Sequence, residues 1–319
     1  MLNQGSVGKK MGKRKTLVLS ILSFVLPLVI WCLVSYVPFI WHPDMQITAA
    51  GDVDYLRPGM LLDRTDFDME VAKAKKTSQA PPEGYPANPV YLPTPVQVAE
   101  AFYTAFTTPP LRRDEKWLHQ SLWDSIQVIF WGFFISSLFG VPLGILAGTY
   151  SVASKLFEPF IEFFRYLPAP AFGALAVAVL GIYDAPKIAI IFIGTFFQQV
   201  LVVANTTRKL DPTLLEAAMT LGAKRLSLLF RVVVPGIITD VYKDQRILLG
   251  WAWTYLIVAE LIGTSSGITF FITQQARYKH FDNVYAAIFI IGVLGISTDI
   301  VLSKLARKIF PWERASANA

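Results

Sequence analysis

The chain has one cysteine, three histidines and few charges. Cys32 has no second cysteine to pair with, which excludes an intrachain disulfide and any cysteine-based metal site. His42, His119 and His280 stand too far apart to suggest a ligand cluster. Asp, Glu, Lys and Arg make up only 16% of the residues, against roughly 25% in an ordinary soluble domain, while 54% are hydrophobic. One water-soluble core cannot hide that much apolar surface. The chain also lacks a Gly-x4-Gly-Lys-[Ser/Thr] phosphate loop, so it is not expected to hydrolyse ATP by itself. No nucleophile, metal cluster or carboxylate pair lies within its apolar runs, which argues against a membrane-embedded enzyme.

Those runs are about 17 to 25 residues long, the length needed to cross a hydrocarbon layer about 30 Å thick. The first, Leu17 to Trp41, follows Lys9, Lys10, Lys13, Arg14 and Lys15. It is too long for the apolar core of a signal peptide and reads as a retained first helix after a cytoplasmic segment, residues 1–16. Further spans are expected at Leu122–Ala147, Leu156–Ile182, Ile188–Ala204, Ile247–Thr264 and Val284–Leu305, with a short tail over 313–319. The third is broken by Glu158, Glu162, Arg165, Pro168 and Pro170, so its irregular backbone should face the bundle interior. The fold expected is therefore all-α, a polytopic membrane protein with six transmembrane helices. The net charge of +6 comes from basic residues flanking the spans, as the positive-inside rule requires, and calls for no nucleic acid. By that rule both termini are expected in the cytoplasm.

Residues 42–91 break the pattern with six acidic residues between Asp52 and Glu70 and prolines at 81, 82, 86 and 89. Neither lipid nor a membrane span suits them, so a large extracytoplasmic loop is expected. Thr94-Pro95 then signals a helix start, with an amphipathic helix over Val96–Phe106.

Between the fourth and fifth spans, residues 206–246 are basic and too polar to cross. Asp211-Pro212 should cap a helix that runs to Leu221, Gly222 should end it in a left-handed turn, and a second helix over Ala223–Val234 should stop at Pro235. Leu214, Leu215, Ala218 and Leu221 share one face of the first helix at helical spacing. That face either docks on a partner or packs on the bundle.

Glu216-Ala217-Ala218, Gly222 after three residues, and Val232-Val233-Val234-Pro235 after nine more together resemble the EAA signature of ATP-binding-cassette importer permeases, Glu-Ala-Ala-x3-Gly-x9-Ile-x-Leu-Pro. Leu92-Pro93-Thr94-Pro95-Val96-Gln97-Val98, the stretch from Gly140 to Gly148, Arg246 with Gly250, Ala252-Trp253 and Ala259-Glu260-Leu261-Ile262, and Pro311-Trp312 are similar to the nitrate, taurine, alkanesulfonate and bicarbonate branch. The resemblance spans 92–312 and implies a type I importer permease in a bacterial inner membrane. It implies a second, commonly identical, permease copy, two cytoplasmic ATPases that bind ATP and Mg, and an extracytoplasmic binding protein. No cofactor is implied in this chain. Glu216, Ala217, Ala218, Gly222 and Pro235 would form the coupling segment seated on the ATPase. The alternative is an ion-coupled secondary transporter, which calls for inverted repeats; none is evident here.

Polar residues within the spans are costly and tend to face a cavity or one another. Candidates for the pathway are Arg165, Gln198, Gln199, Trp253, Tyr255 and Glu260. Adjacent Gln198 and Gln199 cannot both face it. Arg165 either pairs with Glu162 or Glu158 or meets an anionic substrate, and Glu260 either reaches a loop or serves the pathway. Asp299 either pairs with a neighbouring helix or relays. Gly140, Gly144 and Gly148 recur every four residues on one helical face, for packing within the chain or between subunits.

Overall fold

The computed structural model describes residues 12–37, 39–110, 115–262 and 266–312. The first eleven residues of the expected N-terminal segment, the end of the fifth span at Thr264 and the tail 313–319 lie outside the described residues. The chain divides into two compact units, Met1–Ala105 with Gln275–Ala286, and Phe106–Gln274 with Ala287–Ala319.

The first unit begins with α1 (Lys13–Tyr36), whose apolar side chains are exposed along most of its length, as befits a helix solvated by lipid. Trp31 anchors its end, stacking on Tyr285 at 5.8 Å and donating from Nε1 to the Pro93 carbonyl at 3.1 Å. Residues 42–91 are not a loop. They form a three-stranded antiparallel sheet in the order β2-β1-β3, from β1 (Asp44–Ala49), β2 (Leu61–Asp63) and β3 (Glu83–Ala87), with α2 (Arg64–Thr77) after β2. Met45, Ile47, Leu56 and Phe67 make its small core. The Asp63 carboxylate caps α2 by accepting from the Thr65 N–H at 2.8 Å. Strands this short show too little alternation to be read against their Pro- and Asp-rich surroundings, and they add a small sheet to a chain that is otherwise α-helical as expected. α3 (Pro95–Thr107) starts on a reciprocal cap, Gln97 N–H donating to Thr94 Oγ1 and Thr94 N–H to Gln97 Oε1.

The second unit is built around α4 (Leu118–Thr149), α7 (Asp184–Arg208) and α10 (Val234–Ile262). α4 meets α7 through its glycines. A Cβ placed on Gly144 would stand 2.7 Å from the Val200 carbonyl oxygen, and one on Gly148 would stand 2.6 Å from that of Ala204. Gly132 and Gly140 belong to the same seam, against Ile191 and Gln199. The stripe therefore packs within the chain. Ile145, Val203, Leu229, Val233, Ile237 and Val241 fill the core beside it.

α5 (Ser151–Arg165) and α6 (Gly173–Leu180) follow α4, separated by a 3-10 turn at Ala169–Phe172, and the pair is bent by 87° where the prolines fall. α12 (Phe281–Ile309) is tied to α10 by Arg246, which holds Asp299 with Nη2 at 2.8 and 3.0 Å from the two carboxylate oxygens. Among the described residues, α1, α4, α7 and α12 are long and apolar enough to cross a membrane, and the bent pair, taken together as one span, would be a fifth. α10, at 29 residues, is about 44 Å long and also has the length, but it carries Asp240, Lys243, Asp244, Arg246 and Glu260.

Pro235 does not stop a helix. The chain passes from α9 (Arg225–Leu228) through one π turn, Leu229–Val233, straight into α10, with Pro235 as its second residue. A proline in the first turn forfeits no helical bond, and the wider turn before it, closed by Val234 N–H donating to the Leu229 carbonyl, leaves room for its ring.

Closeness at the glycine seam carries a test. Gly144→Ala should cost about 1–3 kcal/mol through overpacking, seen as a melting point several degrees lower for the purified chain. Gly292→Ala, where a Cβ meets nothing within 4 Å, should leave the melting point unchanged or slightly raised.

Candidate functional site

The segment after α7 turns on Asp211. Its carboxylate accepts from the Thr213 N–H at 2.9 Å and the Thr213 hydroxyl at 2.6 Å, which holds it below the usual carboxylate range and opens α8 (Pro212–Thr220) with proline at the first helical position. α8 ends in paired reverse bonds, Ala223 N–H to the Ala218 carbonyl and Gly222 N–H to that of Met219, both 2.9 Å. Gly222 sits at φ +82°, a conformation that costs any residue with a Cβ, although the space beside it is open.

The apolar face of α8 divides. Leu215 packs on the core cluster and Ala218 is half-buried, whereas Leu214 is 52% exposed and Leu221 is 89% exposed. Leu226 continues the exposed side, and Glu216 and Ala217 are exposed with it. The base is pinned from three directions: Tyr150 donates to the Arg225 carbonyl at 3.0 Å, Arg208 pairs with Glu158, and Thr206 donates to Asp244. The result is a rooted helix presenting a leucine surface with no counterpart among the described residues.

The polar residues of the bundle take up contacts within the chain. Gln199 is fully enclosed; its Oε1 accepts from Ser136 Oγ at 2.7 Å, and its Nε2 donates to Ser137 Oγ and to Gln245 Oε1, both at 3.0 Å. That network joins α4, α7 and α10. Gln198 is half-buried beside it. Tyr255 lays its ring over Gly194 of α7, where a Cβ would stand 2.9 Å from the ring, and Trp253 is half-buried. Arg165 pairs with neither Glu162 nor Glu158. Glu158 is taken by Arg208, and Arg165 stands exposed at the end of α5 over the Tyr166 ring, 4.8 Å from its centroid.

Glu260 reaches a loop. It is 3% exposed, and its carboxylate accepts from Ser125 Oγ of α4 and from the Thr269 N–H at 2.8 Å, while Ser125 Oγ accepts from the Ile268 N–H at 2.8 Å. Gly267, at φ +103°, passes so close that a Cβ there would stand 2.1 Å from Glu260 Oε1. Thus Glu260 seats the start of α11 (Ile268–Arg277) against α4. Beside it Lys187, 0% exposed, donates to Asp184 Oδ1 at 2.9 Å, Ser266 Oγ at 2.6 Å and the Ser266 carbonyl at 3.2 Å. Sequence reasoning passed over Lys187 because the apolar run was taken to begin one residue later. The i,i+3 pair Asp184–Lys187 at a helix start was the available signal.

Comparison with known proteins decides the class of this bundle. The family model for the binding-protein-dependent transport system inner membrane component matches residues 140–311, more than half of the chain. The chain belongs to this permease family. A probable ABC transporter permease of Brucella abortus is 33% identical over 70% of this chain and 87% of its own length. The taurine transport system permease of Escherichia coli is 30% identical over 70% of this chain and 81% of its own. A solved chain of the MetNI methionine ABC transporter, in an inward-facing conformation, shares the fold at TM-score 0.55 and 16% identity, covering 62% of this permease and 99% of that chain. The α8 segment and Glu260 with Gly267, Ile268 and Thr269 lie inside the matched region, whereas Ser125 and the sheet of residues 44–87 lie outside it.

The latch predicts a local effect. Glu260→Ala should speed hydrogen exchange in a peptide over 266–277 at least about tenfold, as losing about 1.4 kcal/mol or more of local stability requires, and leave a peptide over 212–220 unchanged.

Proposed function

We propose that this ABC importer permease passes a small oxyanion, with taurine or a related sulfonate first among them, from an extracytoplasmic binding protein to the cytoplasm. The identity to the E. coli taurine permease carries the substrate class. The exposed leucine face of α8 supports a docking role: a rooted helix with Leu214 and Leu221 in the open suits a groove on a partner ATPase. The ATPases would supply ATP and Mg, and a second copy of this chain would complete the pathway. Arg208, Lys209, Lys224, Arg225 and Arg231 surround α8, so the positive-inside rule assigns it to the cytoplasm and residues 42–91 to the outside. Nucleotide-driven closure of the ATPases would rock the two permeases between inward- and outward-open states.

The test is reconstitution of the permease with its ATPase and binding protein in vesicles, following labelled taurine, with nitrate and bicarbonate as competitors. ATP-dependent taurine accumulation that requires the binding protein is expected. Uptake driven by an ion gradient without the ATPase would defeat the reading in favour of a secondary transporter. In intact cells, a cysteine replacing Lys76 in a Cys32→Ser background should react with an impermeant thiol reagent, and one replacing Lys224 should not.

Gly222 gives the coupling role its own measurement. Gly222→Val forces a β-branched residue into a left-handed turn, at a cost of roughly 1–2 kcal/mol. It should cut ATP-driven uptake about tenfold or more while the chain still inserts. Gly222→Asn, which tolerates that conformation, should retain most of it. Unchanged uptake in Gly222→Val would remove α8 from the coupling path.

A further inference from the structure

The charged face of α5 has no part in the transport cycle described above. α5 runs beside α7 in the opposite direction: Glu158 pairs with Arg208 at the end of α7, Ile161 packs with Val200 and Leu201, and the Phe164 ring stacks on Phe197 at 5.4 Å. Phe197 stands midway along α7, about 16 Å or more from either end. Arg165, next to Phe164, is therefore level with the middle of a membrane span.

Two stripes of α5 are exposed. Val152, Leu156, Phe160 and Phe163 form one, which suits lipid. Ser151, Lys155, Glu162 and Arg165 share the other at helical spacing. Among the described residues none of these three charges is in an ion pair. Lipid does not solvate an exposed guanidinium or carboxylate at mid-depth, and such groups face water or a partner. The 87° bend at the prolines begins just past Arg165, and non-helical backbone at this depth likewise needs protein cover or a water-filled cavity. A basic side chain in the last turn of a helix also answers its open carbonyl groups, but the Tyr166 and Leu167 N–H groups already bond those of Phe163 and Phe164. Arg165 instead donates from Nη2 to the Tyr166 hydroxyl oxygen at 3.0 Å. Nε and Nη1 of Arg165 and the phenol hydrogen are then donors with no acceptor among the described residues.

We propose that Arg165 and the Tyr166 hydroxyl hold the oxyanion at the midpoint of its passage, with the polar stripe of α5 facing the water it travels through. This rests on the transport of a small oxyanion proposed above. A guanidinium offers paired N–H donors to a sulfonate, nitrate or bicarbonate, and the phenol adds another. Glu162, one turn nearer the α8 end, repels the same anion, which keeps the hold weak enough for release.

The test uses the complex of permease, ATPase and binding protein in a Cys32→Ser background. Methanethiosulfonate reagents attack thiolates, which form in water and not in lipid. In nanodiscs, Arg165→Cys and Glu162→Cys should each react at least about tenfold faster than Phe163→Cys on the apolar stripe. Excess taurine under ATP turnover should slow the reaction of Glu162→Cys, and adding Arg165→Gln should abolish that slowing. In vesicles, Arg165→Cys should lose about tenfold or more of taurine uptake. A 2-aminoethyl reagent, which restores the positive charge, should recover much of it, and an anionic sulfonatoethyl reagent should recover none. A thiol at Arg165→Cys no more reactive than at Phe163→Cys would overturn the proposal, because lipid or a second copy then covers this face. So would full uptake in Arg165→Gln, or recovery by both reagents alike. Those failures leave wild-type uptake intact. A wild-type complex that accumulates none of taurine, nitrate and bicarbonate would instead defeat the transport reading, and this site with it; slowing by nitrate or bicarbonate in place of taurine would support the site and change only the substrate.

Discussion

Everything in the second unit depends on how closely the backbones of α4 and α7 approach. In lipid, apolar side chains gain little by leaving one hydrocarbon environment for another, so helices hold together through contact and through polar groups that have no water to turn to. Gly132, Gly140, Gly144 and Gly148 remove the side chains that would keep the two helices apart. With α7 drawn in, Gln199 comes within reach of Ser136, Ser137 and Gln245, and the network closes among three helices. One amide side chain then fixes the register of the seam, because a slip of one residue would leave it unpaired in a dry interior.

The two ends of this bundle are held by different means. At the α8 end the bonds are charged and partly exposed, as in Arg208 on Glu158, and such a pair exchanges readily with water. At the other end Glu260 and Lys187 are enclosed and bind backbone groups of the segment leading into α11. An enclosed carboxylate that accepts a main-chain N–H fixes the path of the chain far more tightly than a surface pair does. The permease therefore has a rigid end, and an end suited to taking up a partner.

Much of this was legible in the sequence. Apolar runs gave the long helices because lipid leaves a periodicity of composition that needs no partner to interpret. Asp211-Pro212 and Gly222 gave α8, because caps and left-handed turns are local chemistry. The sheet of residues 44–87 was missed, since three strands of three to six residues depend on pairing across the chain and not on any signal within each one. Pro235 was misread because a proline ends a helix or begins one according to the turn before it, and the π turn at Leu229–Val233 leaves no mark in composition. Gln199, Glu260 and Lys187 were visible as polar residues near or within the spans, but only the packing shows that each is spent on holding helices or a loop.

The continuity of α10 has a mechanical consequence. From Val234 to Ile262 there is no break, so the helix acts as a stiff rod about 44 Å long with its pivot at the π turn and Pro235 and its far tip locked to α4 through Glu260. A tilt of about 5° at the pivot would sweep the tip through roughly 4 Å, more than the length of a hydrogen bond. Small displacements at the pivot are thus levered into a choice at the opposite end: the tip either drags α4 and the start of α11 along with it, or lets go of them.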